Sequence, residues 1–316
     1  MSEKKIIAIL GATGAQGGGV ARAILADPTA GFTARGLTRK TSSESAKALA
    51  AAGVETVKAD LDDVESLTRA FTGAYGVFGL TNFWEHFSGD KELAQATNIA
   101  EAAKRAGVKH VVWSTFEDAR DSVPLDDDRM PTLQGKYKVA HFDAKAEGNA
   151  EFTKRGVPTT MLYTSFYWEN FINFGAGPAK GPDGVLGLTM PMGDKRLPGI
   201  AAEDIGKAAY GIFKAGDAYI GKTVGVAGEH LTGRQMADAF TSALGQTVRY
   251  NDVPADVYRS FPFPGADDMG NMFQFKRDFN GMYVGNRDLR VTRQLNPSLQ
   301  NFAEWLRANA SRVPLG

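Results

Sequence analysis

An apolar β-branched run, IIAIL at residues 6–10, passes straight into GATGAQGGG, Gly11 to Gly19, and then into a helical pattern. Gly11, Gly14 and Gly17 form a G-x-x-G-x-x-G series between a strand and a helix. Glycine allows the tight turn and lets backbone N–H groups approach a pyrophosphate, while the following helix turns its positive end toward that anion. Such a start commits the chain to a crossover onto a parallel neighbour, and the rest of the first half agrees. FTARGLTR, VETVKAD, AYGVFGLTN, VKHVVWST and VPTTMLYTSF read as strands two to six, with helical patterns between them. Helices are expected from about Gln16 to Ala26, over SSESAKALAAAG, after an Asp62 N-cap with Glu65 as its capping-box partner, and from about Lys136 to Arg155. Leu93, Ala96, Ile99 and Ala103 stripe another, which stops at Gly107.

Strands and helices in this order give an α/β doubly wound parallel sheet covered on both faces. Ligands bind such sheets outside the carboxyl ends of the strands. One cleft is therefore expected to gather Gly11, Ala12, Thr13, Gly14, Ala15, Gln16 and Gly17, with Arg39, Asp60, Thr81, Asn82, Phe83, Ser114 and Tyr167. Strand two ends in Thr38-Arg39-Lys40, without the carboxylate that binds an NAD ribose. Arg39 can fork onto a 2′-phosphate, so the expected cofactor is NADP(H). Asp60 fits either an adenine contact or a local helix cap. Phe83, Trp84, Phe166, Tyr167 and Trp168 fit either a nicotinamide pocket or ordinary core. Met269, Met272, Phe273 and Phe275 fit core packing better than a partner surface.

The 316 residues suit a core domain at 1–165 and a smaller, discontinuous α+β C-terminal lobe at 166–316, from which 200–228 returns to the first domain. Gly and Pro crowd Gly175 to Gly199, which reads as loops over the cleft. The 36 basic and 36 acidic residues cancel, giving no sign of nucleic-acid or anionic-membrane binding. No run has membrane-spanning length, cysteine is absent, and the four histidines show no metal-ligand spacing. A strand beginning right after MSEKK leaves no room for a signal peptide, so the expected location is cytoplasmic, with nuclear entry left open.

GATGAQGGGVAR, TNFWE, AHFDAK, YWEN and FPGADDMGNMF, with a C-terminal LNPSLQNFAEWL, resemble the NmrA-like family, an atypical branch of the short-chain dehydrogenase superfamily. The resemblance runs through most of the chain. It implies a Rossmann domain with bound NADP(H), a small substrate-like lobe, and a role that is often regulatory. Sensor members act as redox gauges in which cofactor occupancy alters shape, association and partner choice. A regulatory protein partner and a homodimer are the associations to expect, and a small-molecule substrate if the chain is an enzyme. Matching motifs carry the cofactor contacts onto Gly11 to Gln16, Arg39, Asp60, Thr81 to Phe83, Lys145, Tyr167, Trp168, Glu169 and Asn170. One departure is Ala94, where the sensor relative has a basic residue.

Catalysis turns on VAHFDAK, Val139 to Lys145. The superfamily pairs a Tyr acid with a Lys four residues on, near a Ser; here His141 stands in the Tyr position, Lys145 keeps its place, and Ser114 ends strand five. That spacing puts both side chains on one helical face. Lys145 is expected to hold the ribose in either case. His141 is either a proton donor or a helix histidine at the rim of the cleft. The literal Y-x-x-x-K at Tyr210 to Lys214 lies on the wrong helix. An NADP(H)-binding sensor with weak or no turnover is thus set against an NADPH-dependent reductase of a carbonyl, quinone or imine, with Lys145, His141 and Ser114 as its catalytic set.

Overall fold

The computed structural model describes residues 3–316. The chain begins β1 (Lys5–Ile9), α1 (Ala15–Leu25), β2 (Phe32–Thr38), α2 (Glu44–Ala51), β3 (Glu55–Lys58), α3 (Val64–Phe71), β4 (Gly76–Gly79), α4 (Gly89–Arg105), β5 (His110–Thr115), α5 (Ala140–Lys154) and β6 (Thr159–Tyr163). It goes on through β7 (Phe166–Tyr167), α6 (Asn170–Asn173), β8 (Ala179–Lys180), β9 (Leu186–Thr189), β10 (Arg196–Ile200), α7 (Ala202–Ala215), β11 (Thr223–Gly225), β12 (Glu229–Thr232), α8 (Gly233–Leu244) and β13 (Val248–Asn251). Five helices close it: Ala255–Arg259, Ala266–Asp278, Asn280–Gly285, Leu289–Leu295 and Phe302–Asn309.

The chain divides into two compact units. The first takes the chain up to Asp118, His141–Thr164 and Ala202–Val224. Its seven-stranded sheet has the order β11-β6-β5-β4-β1-β2-β3, and the pairings from β3 through β6 are all parallel. The order reverses between β1 and β4, the switch point at which doubly wound sheets open a crevice. This is the α/β fold that the alternation predicts. Its core is aliphatic with three large rings: Leu67, Ile99 and Val111 are buried with Phe71, Trp113 and Phe152. Helix α1 crosses α7 at Gly19 and Gly206. A Cβ on Gly19 would stand 2.9 Å from the Glu203 carbonyl oxygen, and one on Gly206 would run into the Gly19–Val20 backbone. At the rim of this crossing Arg22 forms an ion pair with Glu203.

The second unit takes Ala119–Ala140, Ser165–Ala201 and Gly225–Gly316. It holds two small mixed sheets, β12-β10-β7 and β13-β9-β8. Phe166, Trp168, Phe171, Phe240, Phe302 and Trp305 interlock as its aromatic core. Met272, Phe273 and Phe275 are buried, as core packing requires.

Four sequence expectations change. The segment read as one strand at VPTTMLYTSF is two, because the chain leaves the large sheet at Thr164 and pairs Phe166 and Tyr167 with β10. The Gly/Pro-rich stretch at 175–199 contains β8, β9 and most of β10 rather than loops alone. Helix α5 starts at Ala140, not Lys136; before it, Leu133 and Tyr137 form an antiparallel bridge around the positive φ of Gln134 and Gly135. The N-cap of α3 is Asp63, whose Oδ1 accepts from the amides of Glu65 and Ser66 at 3.0 Å. Asp62 instead accepts from Gln95 Nε2 at 2.9 Å. That bond, then Lys91, holds its carboxyl below the usual range.

Candidate functional site

At the switch point β1 gives way to Gly11, with φ +60°, and the Gly14 amide bonds back to the Gly11 carbonyl at 2.8 Å. A Cβ on Gly17 would come within 2.6 Å of the Leu10 carbonyl oxygen, so only glycine lets α1 start this close above the strand. Gly11 and Thr13 to Ala15 are exposed, while Ala12 is buried beneath them. The N-cap of α1 is Gly14, which has no side chain to accept from the first-turn amides, and no acidic residue stands in that turn. Donors thus point outward from a cradle that a Cβ would fill, the arrangement an anionic dinucleotide needs. Gln16 turns to β5, where Ser114 Oγ donates to its Oε1 at 2.8 Å. Ser114 is buried.

Across the switch point, β4 ends in Leu80-Thr81-Asn82, followed by a single 3-10 turn, Phe83–Glu85. Lys145 reaches this point from α5. Its Nζ lies 2.5 Å from Glu92 Oε1 and donates to Thr81 Oγ1 at 2.6 Å and the Thr81 carbonyl at 3.0 Å. Thr81 Oγ1 in turn donates to Glu92 Oε1. Glu92 is fully buried, and Lys145 nearly so. Burial alone would raise the Glu92 carboxyl; the Lys145 ammonium and hydrogen bonds from His86, Lys145 and Thr81 outweigh it and bring it down to about 2. His86 Nδ1 accepts from the Ser88 amide at 3.1 Å, which leaves the proton of a neutral ring on Nε2. That nitrogen faces Glu92 Oε2 at 3.5 Å.

One turn before Lys145 on α5, the His141 ring is 5 % exposed. It is surrounded by the rings of Phe142 at 4.7 Å, Trp84 at 4.9 Å, Phe116 at 5.9 Å and Phe83 at 6.0 Å. It is packed among aromatics and does not stand at a solvated rim.

Outside the buried cluster, Arg39 at the end of β2 forks onto Glu85. Nη1 lies 3.0 Å from Oε2, and Nη2 donates to Oε1 at 3.1 Å. Asn82 Nδ2 also donates to Glu85 Oε1, at 3.3 Å. Asp60 closes a turn of its own: its Oδ1 accepts from the Asp62 amide at 3.0 Å, and its amide donates to Ser66 Oγ. Arg39, Asp60 and Glu85 border a cleft of about 190 Å³ that also takes in Asp62, Lys91 and Gln95.

The first unit therefore brings together the Gly11–Gly17 loop, Arg39, Asp60, Thr81 to Phe83, Ser114, His141 and Lys145 at the carboxyl ends of its strands. Tyr167, Trp168, Glu169 and Asn170 belong to the second unit. There Trp168 is buried against Phe302 and Trp305, and Glu169 accepts from Trp305 Nε1 at 3.0 Å. Glu85, His86 and Glu92 are absent from the sequence-based set. Glu92 carries a signal: it is in line, at i+4, i+7 and i+11, with Ala96, Ile99 and Ala103, so a carboxylate falls on the buried stripe of α4. Among the described residues no group of His, Cys, Asp and Glu is arranged to hold a metal ion, and no helix is long and apolar enough to cross a membrane.

The sequence model of the NmrA-like family matches residues 3–306. The NmrA-like family domain-containing oxidoreductase lnbB of Aspergillus flavus is 30 % identical over 301 residues, covering 90 % of this chain and 86 % of its own. The oxidoreductase malD of Malbranchea aurantiaca, of the same description, is 32 % identical over 270 residues, covering 80 % and 79 %. Among solved structures, NmrA, a negative transcriptional regulator, in complex with NADP superposes with a TM-score of 0.78 at 25 % identity, covering 97 % of this chain and 95 % of that one. The same regulator in complex with NAD superposes equally well.

Proposed function

The chain belongs to the NmrA-like family, and on that premise we propose that its first unit binds NADP(H) and acts as a gauge of it, with weak or no hydride transfer. Pyrophosphate would rest on the Gly11–Gln16 amides, with Arg39 and Asp60 at the adenosine end and Thr81, Asn82, Phe83 and Lys145 toward the nicotinamide ribose. The regulator solved in complex with NADP and with NAD supports cofactor binding by this fold. When bound, the nicotinamide supplies or accepts hydride. The observation that carries the gauge reading is the state of the two residues that would have to move the proton. His141 is enclosed by four aromatic rings, and the Lys145 ammonium is held by Glu92 and Thr81. Lys145 in this place can donate to ribose hydroxyls, but the position four residues before it holds His141 instead of a tyrosine.

A second reading is favoured by the printed names of the curated relatives, which are oxidoreductases. In it, Lys145, His141 and Ser114 would bind and polarise a small carbonyl, quinone or imine beside the bound NADPH, which would supply the hydride. One experiment separates the two. Calorimetric titration with NADPH, NADP⁺ and NADH should show binding, and NADPH absorbance should then stay constant across a panel of such acceptors. Steady consumption at about 1 s⁻¹ or faster would replace the gauge with the reductase. In that event His141→Phe, which retains a ring and removes both nitrogens, should lower kcat by about 10²-fold if His141 donates the proton. Unchanged kcat would leave Lys145 and Ser114 as the candidate donors.

A further inference from the structure

We propose that Glu85 sets the cofactor preference of this site: it holds Arg39 in place of a 2′-phosphate and so restrains the selectivity for NADP(H) over NAD(H). The inference rests on reading the first unit as a dinucleotide site. From the sequence alone, Arg39 stands as a free cation waiting for a phosphate. In the fold it is already forked onto a carboxylate, with 3.0 and 3.1 Å contacts of the kind a phosphate would make. Glu85 is also tied to Asn82, another residue assigned to the cofactor, at 3.3 Å. The second cation of the same cleft, Lys91, is committed to Asp62 at 3.0 Å. Asp60, Asp62 and Glu85 thus stand against Arg39 and Lys91, three carboxylates to two cations.

A phosphate monoester brings between one and two further negative charges at neutral pH. To reach Arg39 it must displace Glu85, and the displaced carboxylate then sits next to it. A 2′-hydroxyl needs no such exchange, because it can donate to Glu85 where Glu85 already lies. The pair is built for exchange: the side chains of Arg39 and Glu85 are 67 % and 48 % exposed, and surface ion pairs of this kind hold weakly. The cleft is smaller than the roughly 300 Å³ of pockets that enclose a whole ligand, which suits one end of a dinucleotide.

The test is calorimetry on the full chain with NADPH and NADH, for wild type, Glu85→Gln, Arg39→Ala and the double variant. Glu85→Gln should tighten NADPH about tenfold and leave NADH unchanged or weaker, the size expected for removing one charge a few ångströms from a phosphate. Arg39→Ala should weaken NADPH, and in its background most of the gain from Glu85→Gln should vanish. If Glu85→Gln leaves the NADPH to NADH ratio unmoved, or weakens both cofactors alike, the role of Glu85 falls while the site stands. If wild type binds neither cofactor, the site and the role of Glu85 fall together.

Discussion

Lys145→Met should lower the unfolding free energy at pH 7 by about 3–5 kcal/mol, the cost of leaving a buried charge without its partner. Glu92 is fully buried, and among the described residues Lys145 is its one cation within ion-pair distance besides the marginal His86 contact. The pH dependence fixes the sign. In wild type the folded Glu92 carboxyl is depressed from 4.5 to about 2. Its stabilising contribution is therefore complete above about pH 4.5 and is lost as pH falls from there through about 2. A shift of that size corresponds to about 3 kcal/mol. Without Lys145 only the His86 and Thr81 hydrogen bonds oppose burial, so the carboxyl is expected to rise past its unfolded value and the variant to become more stable, not less, as pH is lowered from 7 to 5. Glu92→Leu in the same background should restore most of the loss, since a buried pair removed as a pair costs little. Urea unfolding of the three proteins at pH 7 and pH 5 checks each point. A wild-type midpoint for Lys145→Met at pH 7 would mean that Glu92 is not held by Lys145.

The second large effect belongs to the helix crossing. Gly206→Ala should destabilise the first unit by about 3 kcal/mol, at the upper end of overpacking costs, because the added methyl meets backbone and not a side chain that could turn away. Helix α1 can accommodate it only by lifting off α7, and its N-terminus carries the Gly11–Gly17 loop. Weaker NADPH binding should therefore accompany the loss of stability. Gly281→Ala is the control: nothing lies within 4 Å of its Cβ, its residue is in the helix Asn280–Gly285, and the change should be neutral or stabilising by up to about 1 kcal/mol. Thermal unfolding of the two variants side by side decides it. Equal midpoints would show that the crossing is looser than the distances imply.

How far the sequence could be read depended on whether a residue's partner was near it in the chain. The Gly11–Gly17 loop, the helix that follows it and the parallel strands are local patterns, and period and turn chemistry report them directly. Arg39 and Lys145 were found as cations at the right strand and helix positions. What they are bound to was not legible, because Glu85 is 46 residues from Arg39 and the Lys145–Thr81 contact spans 64. His141 was legible as a substitution for tyrosine but not as a packed ring, since its neighbours come from three separate segments. The edges of α5 and of the sixth strand failed for a similar reason: the chain changes unit near both. Residues 119–140, within the 1–165 domain expected from the sequence, are part of the second unit.

The alternation of segments between the two units has a consequence for how the chain is made. Helix α1 leaves the ribosome early, yet the helix that covers its glycine face arrives much later; Arg22 and Glu203 are 181 residues apart. At about 5–20 residues per second, translation separates them by roughly 10–40 s. During that time the glycine face of α1 lacks the helix that packs on it. The polypeptide must therefore reach α7 before α1, and the Gly11–Gly17 loop at its N-terminus, can settle into the packing seen in the finished fold.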